Sequence, residues 1–94
     1  MTSKQRAKLR GLANHIDTIL QVGKGGIVPT LVVQCADALK ARELIKGRAL
    51  ENAPVTPREA AEQLAAEVGA EVVQVVGSKF VLYKRNDEKP VIEL

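Results

Sequence analysis

The residues with the plainest chemical potential are Gly23-Lys24-Gly25-Gly26. Three glycines allow positive φ and remove Cβ atoms, so a ligand can approach the main chain closely. Lys24 adds a full positive charge to the same loop. If a helix follows, its first N–H groups lack intrahelical partners and its dipole contributes partial positive charge. Together these features suit an anion. Two anion chemistries fail on spacing. A Gly-x4-Gly-Lys nucleotide loop needs Ser or Thr after its lysine, and here Gly25 follows Lys24. A Gly-x-Gly-x-x-Gly dinucleotide cradle needs a third glycine where Val28 stands.

What remains is the Gly-x-x-Gly pattern with which KH domains clamp a nucleic-acid backbone, or else a plain strand-to-helix turn. Charge placement bears on that choice. Residues 1–50 carry nine Lys/Arg against three acids, and residues 51–94 carry five against eight. A basic surface and an acidic one are expected, and the basic one suits nucleic acid. Lys4, Arg6, Lys8 and Arg10 all precede the first acid, Asp17. Lys46 and Arg48 share one face of a strand, where they either extend that surface or solvate it. Arg42, in a helix-to-strand connection, has the same two readings.

Other chemistries find little footing. His15 is the sole histidine and Cys35 the sole thiol. No metal site, disulfide or nucleophile–base pair can be assembled at recognisable spacing. His15 is expected to pack or to finish a helix, and Cys35 to fill a core. No metal, cofactor or small-molecule substrate is therefore expected, and no enzyme activity. Phe80 and Tyr83 are the only aromatics, so base stacking is not expected to dominate binding.

The elements that must position these groups follow from pattern. Thr2-Ser3-Lys4-Gln5 reads as a capping box. Leu9, Leu12, Ala13 and Ile16 then share a helical face, which is expected to dock by Leu12 and Ile16. Lys4 and Lys8 flank that face on one side, Arg6 and Arg10 on the other. Asp17 to Val22 is a β-rich run ending at the glycines. A second helix has Pro29 in its first turn and a buried stripe of Val28, Val32, Cys35 and Leu39. Glu43 to Leu50 reads as the next strand. Thr56-Pro57-Arg58-Glu59 opens a third helix, which buries Ala60, Ala61, Leu64 and Val68 and closes at Gly69. Glu71 to Val76 and Lys79 to Lys84 form a hairpin about Gly77-Ser78. Residues 86–94 are expected to dock by Val91 and Ile92 or to fray.

The order helix, strand, helix, strand, helix, strand, strand predicts an α/β fold. One domain over residues 1–94 is expected, a mixed four-stranded sheet with helices packed on it. Strand–helix–strand repeats favour parallel pairing, with the last two strands antiparallel. No apolar run approaches a membrane span. Met1-Thr2-Ser3-Lys4 lacks the apolar stretch of a secretory signal, and the lone cysteine fits a reducing cytoplasm.

Several segments in this order resemble one family. They are Thr2 to Arg6 leading to Leu12-Ala13-Asn14-His15, Ile19 to Gly26, Ala41 to Lys46, Gly69 to Gly77, and Phe80 to Lys84. Together they resemble the YhbY-type CRM domain (chloroplast RNA splicing and ribosome maturation) in its stand-alone bacterial form. The resemblance implies an RNA-binding module without enzymatic activity, associated with precursors of the large ribosomal subunit. It also implies a fold similar to the C-terminal domain of translation initiation factor three. The RNA surface then falls on Gly23, Lys24, Gly25, Gly26 and neighbouring cations. Two departures stand out: Asn14 replaces the first of the family's paired histidines, and Lys84 its closing arginine. The alternative reading is a protein-interaction adaptor using the acidic helix, with Glu59, Glu62 and Glu67, or a sheet edge.

Overall fold

The computed structural model describes residues 1–94. Its first helix, α1 (Ser3–Ala13), starts at the expected capping box: the Thr2 hydroxyl accepts from Gln5 N–H, and the Gln5 side chain accepts from Thr2 N–H. It docks by the expected face, but chiefly through Leu9 and Ala13 rather than Leu12. Leu9 and Ala13 are fully buried, Leu12 is exposed, and Ile16, beyond the helix end, packs half-buried against the same core. The cause is Arg6, which shares the Leu9–Ala13 side at i, i+3 and i+7. Its Nη1 donates to the carbonyls of Val72 (2.7 Å) and Val73 (3.0 Å), which fixes the rotation of the helix.

Strand β1 (Thr18–Val22) leads through the glycines into α2 (Pro29–Arg42). Pro29 takes the first helical position, which leaves Val28 outside as an exposed N-cap. The buried stripe is therefore Leu31, Cys35 and Leu39, and Val32 is only half-buried. Strand β2 (Leu44–Ala49), α3 (Pro57–Val68), β3 (Glu71–Val76) and β4 (Lys79–Tyr83) follow. Helix α3 has the expected capping box from Thr56 and Glu59 and ends on Gly69 at φ 72°. Lys84 Nζ donates to the Val68 carbonyl, placing a cation on the negative end of α3.

The sheet order is β1-β2-β4-β3. β1 and β2 pair in parallel, while β4 is antiparallel to both β2 and β3. The parallel pairing expected after α3 is thus not a direct one, because β4 inserts between β2 and β3. Phe80, Val81, Leu82 and Tyr83 are all buried, so β4 gains most from a central position covered on both faces.

The core has two layers. One packs α2 and α3 on the sheet through Leu31, Cys35, Leu64 and Phe80; the other packs α1 through Leu9, Ala13, Leu44, Val81 and Tyr83. At Gly47 the sheet has no room for a side chain. A Cβ there would lie 2.6 Å from Phe80 Cζ.

Glu43 departs most from expectation. It is not a strand residue but the C-cap of α2, at φ 64°, and it is completely buried. Its carboxylate accepts N–H groups from Asn86 (2.6 Å), Val91 (2.7 Å) and Ile92 (2.5 Å). This side chain gathers three amides of the C-terminal segment, and Ile92 packs against the α1-side core. Burial by itself would raise the Glu43 pKa. The three N–H donors and the Arg85 charge outweigh it and hold the carboxyl below its ordinary value.

Candidate nucleic-acid interface

The glycine loop leaves the end of β1 as a closed turn, with Gly26 N–H donating to the Gly23 carbonyl at 3.0 Å. Gly26 is buried at φ 72°, and a Cβ there would meet Pro54 Cγ at 3.0 Å. Pro54 thus supports the turn from beneath, while Lys24 and Gly25 remain exposed. The N–H groups of Lys24, Gly25 and Ile27 find no backbone acceptor in the chain. The helix start contributes less than expected. Pro29 has no N–H, and the Val28 carbonyl accepts from Leu31 and Val32, which leaves Thr30 as the unbonded donor of that turn. The donors available to an anion therefore come chiefly from the loop.

The candidate cations fall into four places. Lys24 is in the loop. Lys46 and Arg48 project from β2 on the α1 side of the sheet, opposite in sense to Gly47. Arg48 pairs with Gln21 of β1 and with Lys79 of β4, all three exposed. Lys79 and Gln21 were not among the sequence candidates. Only the central placement of β4 puts Lys79 there, and the chain order does not reveal it.

Along α1, Lys4 and Arg10 are exposed and form no ion pair, the pairs present being Arg58–Glu62 and Arg85–Asp87. Lys8 Nζ donates to the Glu93 carbonyl, and Arg6 is committed to Val72 and Val73. Arg42 sits at the other end of α2 from the glycine loop, about 20 Å away along the helix axis. The structure does not bring it to the loop.

Other candidate chemistries stay as structural features. Cys35 is buried, and burial pushes its thiol pKa up to about 11, so it is neither accessible nor ionised near neutrality. No three His, Cys, Asp or Glu side chains group to hold a metal. Both aromatic rings, Phe80 and Tyr83, are buried. Glu59 is occupied by its capping box, which lowers its pKa, and Glu62 pairs with Arg58 at 3.6 Å. No helix is long and apolar enough to cross a membrane.

The family model described as the CRS1 / YhbY (CRM) domain matches residues 1–84. The chain is 43% identical to the probable RNA-binding protein YqeI of Bacillus subtilis, over 100% of this chain and 98% of that protein. It is 28% identical to an RNA-binding protein of Haemophilus influenzae, over 97% of this chain and 92% of the relative. The solution structure of the hypothetical protein SAV1595 from Staphylococcus aureus superposes with a TM-score of 0.82 at 45% identity. That match covers 100% of this chain and 98% of the other.

Proposed function

We propose that this chain, which belongs to the CRS1 / YhbY (CRM) domain family, binds RNA by its sugar–phosphate backbone and carries out no chemical step of its own. The observation that carries the reading is the Gly23–Gly26 turn, where N–H groups without an acceptor in the chain lie together with the exposed Lys24. The names of the relatives support RNA as the polymer. In this mechanism loop N–H groups meet phosphate oxygens and Lys24 neutralises the charge. Lys4 and Arg10 steer and hold the strand from α1. Buried aromatics favour backbone recognition over base stacking.

The target we infer is large-subunit ribosomal RNA or its precursor, met in the cytoplasm during ribosome assembly. The resemblance of the chain's segments to the YhbY type supports that choice. Ultraviolet crosslinking in cells, followed by sequencing of the attached RNA, tests it. Enrichment of large-subunit ribosomal RNA is the expected result, and an even spread over transcripts overturns the target. The adaptor reading has less support, since Glu59 and Glu62 already have local partners.

A further inference from the structure

We propose that Arg48 and Lys79 form a second phosphate seat on the open face of the sheet, an inference that rests on the RNA-binding reading above. Bound RNA then continues from the glycine loop across β1, β2 and β4.

Strand register supplies the first reason. Arg48 and Lys79 are directly opposed on antiparallel strands. Side chains so placed have Cβ atoms about 4.5–5.5 Å apart, and like charges there are destabilising. Nothing in the row offsets them, since it reads Gln21, Arg48, Lys79, Val76 across the four strands without a carboxylate. Neither cation takes part in an ion pair. An anion between them would remove the repulsion and gain two charge-assisted contacts.

The second reason is access. α1 covers Leu44, Val81 and Tyr83 at the other end of this face, and all four residues of the row are exposed. Thr18, Gln21, Arg48 and Lys79 line a shallow polar groove.

The third reason is continuity. Gly23 follows Gln21 by two residues, about 7 Å along the strand direction. A strand of RNA seated on the loop therefore reaches this row without a bend in the protein. The Gln21 amide adds donors and an acceptor that a ribose or phosphate can use. On the opposite face Phe80 packs against Gly47, which holds β2 and β4 in the register that opposes the two cations.

The test compares R48A/K79A with K40A/K89A, which removes the same charge elsewhere on the surface. The probe is an oligouridylate of about 20 nucleotides, longer than the sites of small single-strand-binding folds. Anisotropy is measured across a salt series. R48A/K79A is expected to bind about tenfold more weakly near physiological salt, with a log–log salt slope shallower by about 1.4. Its melting temperature should equal or exceed that of the unaltered chain. K40A/K89A should keep the parental slope. If both double variants bind alike, the second seat is overturned. When K24E has lost binding in the same series, the loop reading stands. If the unaltered chain shows no salt-dependent binding, both proposals fall.

Discussion

Arg6 and Val73 are joined across 67 residues by a 3.0 Å hydrogen bond from a guanidinium to a main-chain carbonyl. Val73 is the extra residue where the β3–β4 register shifts, so its strand leaves the regular ladder at that point. The same Nη1 serves Val72. A cation that reads as surface charge in the sequence thus acts as the fastening between α1 and the sheet. R6A is expected to cost about 1–2 kcal/mol, the scale of a partly buried charged hydrogen bond. Urea denaturation checks it. R6K should recover part of that cost, because one ammonium nitrogen can also donate to both carbonyls.

Glu43 sets the acid stability of the C-terminal segment. Its folded pKa is depressed, so its contribution is full above the ordinary value of 4.5 and is lost as pH falls below that through the folded value. Amide exchange at Val91 and Ile92 should accelerate over that acid range while the β4 core stays protected. E43A, which removes the acceptor, should show fast exchange at those amides already at neutral pH. E43G relieves the positive φ but should not restore protection, because the carboxylate is the acceptor.

Tyr83 buries a hydroxyl with no hydrogen-bond partner. Burial, with the Glu43 charge nearby, raises its pKa above the ordinary tyrosine value. Y83F removes an unsatisfied polar atom, so stability should hold or rise by up to about 1 kcal/mol. A loss in thermal unfolding experiments contradicts this account of the α1-side core.

Gly47 and Phe80 test the sheet. G47A forces a methyl group into the Phe80 ring and should cost about 1–3 kcal/mol. F80L withdraws the Cζ that such a methyl would strike. In a double-mutant cycle G47A/F80L should therefore be less destabilised than the two single costs combined.

These cases mark how far local pattern reaches. Both capping boxes, Pro29, Gly69 and the hairpin are legible because each depends on neighbours a few residues apart. The loop is legible for the same reason. Arg6 and Glu43 are not, since their partners lie 43 to 67 residues away and nothing local distinguishes them from solvated charges. The rotation of α1 on its docking face went with Arg6: a helix with Leu9, Leu12, Ala13 and Ile16 can turn either way until the guanidinium finds its carbonyls. Lys79 was hidden by topology, because its neighbour Arg48 is known only once β4 is placed between β2 and β3.

The most direct test of the central claim is the salt dependence of binding to a single-stranded RNA, measured for the unaltered chain and for K24E. Lys24 is exposed and makes no hydrogen bond or ion pair in the chain, so K24E should keep the parental circular dichroism and melting temperature. Neutralising about four to six phosphates predicts a log–log slope of roughly −3 to −4 for the unaltered chain, and K24E should lose most of the affinity. Equal affinity and equal slope in a folded K24E would contradict the account.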